Sequence, residues 1–355
     1  MTSERLREIE MLFHEWACPW CAGGLRCSDE ECRCASCGRL WPVVEGVPHF
    51  VSQAPYWGEI PESKLQDILE ATRTEPWREV FRASNDPDIA RAFTFIASLN
   101  RTSWQYFLPS GKGRFALCVG EGMGATAEAL SPNYAAVVAV EPVLARVQFM
   151  RRRFSQDRVD NVRIVRASFP HVPFARQSFD LVVFNGVIEW LPSGHPSENP
   201  AAVQLAGLRR ACELLRRGGH VYIGIENRWC YEYFLGAPDP HVNVRWVTIV
   251  PRRVANWLMR RAKAGRYENY LYGSRGYRRL LQRAGFSEPQ VFIAIDSYNQ
   301  PEFIVPIDGA SSRYFFRRME GRSTRPHRRV LRWTAEHLGI LGHLQYAFIL
   351  IASKP

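Results

Sequence analysis

From residue 115 onward, short runs of apolar residues recur, each bounded by glycine, proline or charge: Phe115–Val119, Ala136–Val140, Val162–Val165, Phe179–Phe184 and a closing run over 348–352. Runs that are apolar at both odd and even positions predict strands buried on both faces, as in a parallel sheet. Helical spacing falls between them, at Ala125–Leu130 and again at Tyr277–Phe286. Ahead of the first strand, residues 64–108 carry a different period. Ile89, Phe93, Ile96 and Leu99 form one apolar stripe behind a start signal, Ser84-Asn-Asp-Pro87, and predict two or three helices. Residues 52–63, with Pro55, Gly58 and Pro61, read as a linker. Residues 17–51 show neither period and are too few to build a core of their own.

The first strand runs straight into Gly120-Glu-Gly-Met-Gly124, and a helix candidate follows at once. Glycines at this junction let a backbone approach a ligand where a Cβ would clash, and the helix start favours anionic or polar ligand groups. The second strand ends on Glu141, about 20 residues after the glycines, where an acid would hold a ribose diol.

Cysteine use is lopsided: six of nine lie between residues 18 and 37, while Cys118, Cys212 and Cys230 sit singly in apolar or helical context and read as small core residues. Cys18-Pro-Trp-Cys21 and Cys34-Ala-Ser-Cys37 are two CxxC knuckles separated by 12 residues. Four thiolates complete a closed tetrahedral zinc site, and metal binding would supply the folding energy that so short a segment lacks. Cys32-Arg-Cys34 offers two choices for the third ligand. Cys34 is preferred, because it repeats the spacing of the first knuckle and Gly38 follows.

The order of motifs resembles the class I S-adenosylmethionine (SAM) dependent methyltransferases, of the type 11 kind. The matching parts are the GxGxG turn, Glu141, the strand Ser178-Phe-Asp-Leu-Val-Val-Phe184, Leu214-Leu-Arg-Arg-Gly-Gly-His-Val-Tyr-Ile223, Tyr277–Phe286 and the final strand. The resemblance implies an α/β, Rossmann-like seven-stranded sheet. Gly120, Gly122 and Gly124 would pass under the methionine portion of SAM, with Glu121 beside them. Glu141, next to Pro142, would accept both ribose hydroxyls. Ser168 stands where the family usually has Asp beside the adenine amino group, Phe169 would flank the adenine, and Asn185 would meet the methionine end. Cys118 stands where the family usually has an acid. Residues 17–51 in turn resemble the zinc-ribbon module that serves some tRNA, rRNA and protein methyltransferases as a separate activator subunit. They also resemble the ribbon fused to the front of bacterial methyltransferases, including a ribosomal RNA guanine methyltransferase. The implied organisation is a zinc ribbon over 1–51, a linker and helices over 52–110, and a methyltransferase domain over 111–355. A helical cap would come from insertions at 227–274 and 296–345.

Charge changes the picture only for the acceptor. Net charge is +11, and of 46 Lys plus Arg only Lys64, Lys112, Lys263 and Lys354 are Lys. Residues 313–332 hold eight Arg against one Glu. A basic face suits nucleic acid, phosphorylated substrates or a membrane surface, and a solvated surface equally. The N-terminus lacks a signal-peptide apolar core, and the apolar stretch Leu338–Ala352 is interrupted by His343 and Gln345, so a cytoplasmic protein without transmembrane segments is expected.

Methyl transfer from a sulfonium is an in-line displacement that asks for alignment and dryness, and for a base only where the acceptor holds its proton. Candidate bases are Glu189, His195 and His241. The expected acceptor is a small-molecule or glycan hydroxyl or amine, because two large insertions can enclose it. An RNA base (rRNA or tRNA) is the alternative, supported by the ribbon and the Arg-rich insert. Asn185-Gly-Val-Ile replaces the Asn-Pro-Pro-Tyr signature of exocyclic amino methylation. A third reading is a non-catalytic protein that binds SAM or a partner through its ribbon.

Overall fold

The computed structural model describes residues 16–318, apart from 55, 57, 59 and 196, and residues 340–355. Pro55, Arg322, Arg325 and the N-terminal stretch 1–15, on which expectations above rest, lie outside the described residues. The chain divides into two compact units: residues up to Phe184 with Arg210–His220, and Asn185–Arg209 with Val221–Pro355.

The first unit opens with a four-stranded antiparallel ribbon of β1 (Leu25–Cys27), β2 (Glu31–Cys34), β3 (Leu40–Val44) and β4 (Val47–Pro48), hydrogen-bonded in that order. Glu45 and Gly46 join β3 to β4 with φ of 51° and 77°, the left-handed pair that a two-residue hairpin needs. Cys27 lies opposite Cys32 across β1 and β2, and the two form a disulfide. The ribbon is fastened to the rest of the unit at both ends. Trp16 packs edge-on against Phe174, and Ala17 N donates to the Pro173 carbonyl at 3.1 Å. Arg166 N donates to the Pro48 carbonyl at 3.0 Å, and Phe50 N to the Arg166 carbonyl at 2.7 Å.

Three helices follow, Glu62–Ala71, Trp77–Ala83 and Pro87–Ile96, and then a 3-10 segment, Asn100–Phe107. Asp86 caps the third by accepting from Asp88 N at 2.9 Å and Ile89 N at 3.3 Å, with Pro87 at the first helical position. Ile89 and Ile96 are buried as the stripe predicts, but Leu99 is exposed because the helix has already ended. Trp77, Phe81 and Phe93 pack with Phe149 of the helix Leu144–Gln156. Behind them Arg153 is fully buried. Its Nε meets Glu128 Oε2 at 2.5 Å, and its Nη1 donates to the carbonyls of Ile96 and Met123 at 2.9 and 3.0 Å. Removing either charge would leave the other stranded in the core.

The larger sheet starts in this unit with β5 (Phe115–Val119), β6 (Ala136–Val140), β7 (Val162–Val165) and β8 (Phe179–Asn185). β5 lies between β6 and β8, β7 lies outside β6, and all three pairings are parallel. Every residue of β5 and β6 is buried, which is why these strands read as unbroken apolar runs. β9 (Leu215–Glu226) begins in the first unit and ends in the second. There the order is β9, β12 (Ala347–Ser353), β10 (Gln290–Ala294) and β11 (Ile304–Pro306), with β10 antiparallel to both neighbours. The sheet therefore has eight strands rather than the seven expected. The extra one, β11, comes from the second insertion, where Ile304-Val-Pro pairs with the edge of β10.

The segment after β9 forms the short helix Tyr231–Phe234 and the helix Arg252–Arg261, which close over Val247, Ala255, Met259 and Tyr267. The helix Ser274–Ala284 leads on to β10. Among the described residues no helix is long and apolar enough to cross a membrane.

Candidate active site

In the first unit, the chain leaves β5 through Gly120, Gly122 and Gly124, with φ of 60°, 66° and 88°. A Cβ on Gly124 would lie 2.9 Å from the Phe154 ring, so that glycine is required by packing as well as by backbone. A Cβ on Gly122 would meet no atom within 4 Å, so the turn opens onto free space there. Glu141 is fully buried and fixes the turn: its Oε2 accepts from Gly122 N at 2.8 Å and its Oε1 from Val143 N at 3.0 Å. Burial holds its carboxyl above the usual range, with Arg146 opposing. Each carboxylate oxygen can accept a second hydrogen bond, so the pinned group keeps capacity for a ligand. Glu121 turns the other way. Its Oε1 accepts from Thr126 N at 2.8 Å and Ala127 N at 2.9 Å, capping the helix Ala125–Leu130. Burial pushes its carboxyl up to about 7.

The other residues expected at the cofactor are also placed. The Pro142 carbonyl accepts from Arg166 Nε at 3.2 Å. Ser168 is exposed, and Phe169 is buried edge-on against Phe184, ahead of a cis peptide to Pro170. Asn185, in the second unit, donates to Asn299 Oδ1 at 2.7 Å and accepts from the Tyr222 hydroxyl at 3.2 Å.

The second unit brings two of the three candidate bases together. His241 Nε2 lies 3.7 Å from Glu189 Oε1 and 3.6 Å from Glu226 Oε2, while its Nδ1 lies 3.1 Å from Asp239 Oδ1. Asp239 is itself held by the hydroxyls of Thr248 at 3.0 Å and Tyr267 at 2.9 Å. Glu226 Oε1 accepts from the Tyr298 hydroxyl at 2.9 Å, and Trp190 stands edge-on to the His241 ring. Burial alone would lower the His241 imidazole, but Glu226, Asp239 and Glu189 outweigh it and hold it well above its ordinary value. Burial lifts Glu189 above the carboxylate range against the opposing pull of His241. His195, the third candidate, stands apart on a loop, 2.8 Å from Glu198. Glu226 and Asp239 were not singled out from the sequence as site residues, whereas Tyr298 belongs to the insertion expected to form the substrate cap. The available signals were Glu226 ending a strand, as an acid follows β6, and the tight spacing of Asp239-Pro-His241.

In the ribbon, the sulfurs of Cys18, Cys21, Cys34 and Cys37 all lie within 4.8 Å of one another. The Cys18–Cys37 and Cys21–Cys34 separations are 3.8 and 3.5 Å, and four sulfurs about 2.3 Å from one zinc stand about 3.8 Å apart. Trp20 N and Cys37 N donate to the Cys18 and Cys34 sulfurs at 3.4 Å, as suits thiolates. The choice between Cys32 and Cys34 falls to Cys34, since the Cys32 sulfur is bonded to Cys27. The two CxxC knuckles account for four of the six clustered cysteines; Cys27 and Cys32 pair with each other instead, because strand register places them opposite.

A glycine-rich turn after the first parallel strand, tied to an acid at the tip of the second, defines a nucleotide-type site in an open α/β sheet. Residues 117–223, which contain that turn and run into β9, match a family described as "Methyltransferase domain". That match gives the chain a methyltransferase-like domain over those residues. A comparison with curated proteins finds no match. Among solved structures, the chain is similar to phosphoethanolamine N-methyltransferase 2 of Haemonchus contortus, at 14% identity and a TM-score of 0.43, covering 82% of this chain and 60% of that one. It is similar to a SAM-dependent methyltransferase of Thermotoga maritima, at 15% identity and a TM-score of 0.43, covering 78% and 97%. It is also similar to a chain of the Haloferax volcanii complex that contains the Trm112 methyltransferase activator, at 13% identity and a TM-score of 0.44, covering 82% and 97%.

Proposed function

We propose that this methyltransferase transfers the SAM methyl group to a hydroxyl or amine of a small molecule or glycan. The carrying observation is the buried cluster of Glu189, Glu226, Asp239 and His241, together with Tyr298. His241 and Asp239 come from the insertion at 227–274, and Tyr298 from that at 296–345. An acceptor hydroxyl or ammonium sheds a proton on methylation, and anionic groups in a dry pocket offset that charge. A buried set of carboxylates around an imidazole suits a small acceptor and repels a polyanion.

In this reading Gly120, Gly122 and Gly124 pass under the SAM methionine. Glu141 holds the ribose, and Pro142, Ser168, Phe169 and Asn185 complete the cofactor site. Glu121 acts one step removed, by capping the helix that follows. Cys18, Cys21, Cys34 and Cys37 hold a structural zinc, and closed coordination leaves it no catalytic position. The modules are the ribbon over 1–51, the helices over 52–110 and the methyltransferase domain over 111–355. A cytoplasmic location is part of the same proposal.

A tritiated-methyl transfer assay across RNA, lipid-linked glycan and small-metabolite fractions tests the reading. Label is expected in a small-molecule or glycan fraction. Glu226→Gln or Tyr298→Phe is expected to lower turnover about 100-fold, the size of one misplaced proton-handling group. Reversing the charge of Arg317, Arg318, Arg322 and Arg325 is expected to leave SAM binding and turnover nearly intact. Label in RNA, with binding that falls steeply with salt and needs those arginines, would overturn the acceptor class and leave methyl transfer standing.

A further inference from the structure

The cluster around His241 has a geometry that a proton-sharing network does not explain. Among the described residues, neither oxygen of Glu189 has a hydrogen-bond partner, nor does Glu226 Oε2, and the Glu189 side chain is only 1% exposed. Uncompensated buried carboxylate oxygens carry a large desolvation cost. Their ion pairs among the described residues are those with His241, at 3.7 and 3.6 Å. A direct imidazolium–carboxylate hydrogen bond would close to about 2.7–2.9 Å. The gap is therefore about 0.8 Å too wide for a direct bond.

Two kinds of cation would fill such a gap, and the spacing chooses between them. Ligands about 2.0–2.2 Å from one metal ion stand about 3.3–3.6 Å apart in a tetrahedral arrangement. Acceptors about 2.8 Å from an ammonium nitrogen stand about 4.6 Å apart. The measured separations lie beside the first value, and all three ligand atoms fall within 4.8 Å of one another. The orientation of His241 agrees. Asp239 takes its Nδ1 side at 3.1 Å and is braced by Thr248 and Tyr267, leaving Nε2 to face the two carboxylates. A carboxylate behind a histidine is the arrangement that fixes the tautomer and raises the basicity of a metal-ligating imidazole. One nitrogen and two oxygens suit a divalent transition-metal ion, and three protein ligands leave coordination positions for solvent or an acceptor oxygen or nitrogen.

We infer that Glu189, Glu226 and His241 form a second metal site, distinct from the cysteine cluster, which binds a divalent transition-metal ion with Asp239 as the positioning residue. The inference deepens the acceptor reading: an ion there would coordinate the accepting hydroxyl or amine and ease passage of its proton to solvent, as the methyl leaves the SAM sulfur for that oxygen or nitrogen and the demethylated cofactor departs. Ion binding itself does not depend on what the acceptor is.

Mn²⁺ is the probe, because it favours nitrogen and oxygen ligands over the thiolates of the ribbon. Full-length protein carrying about one zinc per chain, with weakly held metal first removed by a mild chelator, is titrated with MnCl₂, and free Mn²⁺ is read by electron paramagnetic resonance. Wild type is expected to take up about one Mn²⁺ per chain, saturably, given three ligands in one site. Glu226→Gln and His241→Gln are expected to abolish that uptake. Asp239→Asn is expected to weaken it about 10–100-fold, as loss of a brace behind a ligand does. SAM binding and ribbon zinc serve as folding controls and are expected to stay unchanged in all three variants. Absence of saturable Mn²⁺ uptake by the folded wild type would overturn the site, as would uptake that survives Glu226→Gln in a folded variant. Protection by methylammonium without Mn²⁺ uptake would reassign the cluster to an organic cation. Loss of transfer to every acceptor fraction, with Mn²⁺ uptake intact, would sink the acceptor reading and leave the metal site standing.

Discussion

Cys18→Ser or Cys37→Ser is expected to release the zinc held by the cysteine cluster and to unfold the ribbon over residues 17–51. Wild-type protein should carry about one thiolate-bound zinc per chain, the stoichiometry of a closed four-cysteine site. The effect should be large, because apparent zinc-binding free energies of about 10–16 kcal/mol are folding free energy in modules of this size. The ribbon has little else to lean on. Its four strands are two to five residues long, and most of their side chains are exposed or half-buried. Metal content and hydrogen-exchange protection of residues 25–48 are the measurements. A metal-free protein whose ribbon amides remain protected would refute the zinc assignment. Cys32→Ser provides the contrast: it should leave zinc in place, since that sulfur is engaged with Cys27.

Glu141→Ala is expected to weaken SAM binding from a micromolar dissociation constant, about −8 kcal/mol. The loss should be about 1.5–3 kcal/mol, the worth of hydrogen bonds to a charged group. The structure adds a second route to the same loss. Glu141 holds Gly122 N and Val143 N at 2.8 and 3.0 Å, so its removal frees the turn in addition to losing the proposed ribose contacts. Glu141→Gln separates the two routes. It keeps an acceptor oxygen for one amide and loses the charge, so an intermediate loss is expected. Isothermal titration with SAM and with its demethylated product reads both variants. Equal affinity in wild type and Glu141→Ala, or binding of NAD in place of SAM, would contradict the cofactor assignment.

Much of the fold was legible because each deciding feature is local. β5 and β6 read as strands from their own five residues, since burial on both faces leaves no polar position to confuse the period. The cysteine knuckles and the capped start at Asp86-Pro87 are equally short-range. The illegible parts are those in which distant residues decide. Leu99 continued the apolar stripe, but the helix ends at Ile96, and a period cannot announce its own stop. β11 is three residues long and exists only because the edge of β10 offers it a partner. The His241 cluster draws on positions 189, 226, 239 and 241, with Tyr298 beyond them. No spacing rule joins these positions; they meet only when two insertions fold back. Glu121 taught the reverse lesson. Its place among the glycines suggested a ligand contact, and the nearer partners proved to be the two amides of its own helix start.

The attachment of the ribbon at Arg166 bears on how the protein fails as well as how it works. β7 is the outermost strand on its side of the larger sheet, and an uncovered outer strand invites a second chain to pair with it. Just past its end, the chain exchanges Arg166 N to the Pro48 carbonyl and Phe50 N to the Arg166 carbonyl, so the ribbon's last residues occupy that backbone. With zinc in the cysteine cluster, as proposed, the ribbon is expected to double as a guard against self-association. Stripping the metal is expected to leave that edge adhesive, and light scattering after chelation should rise before methyl transfer is lost.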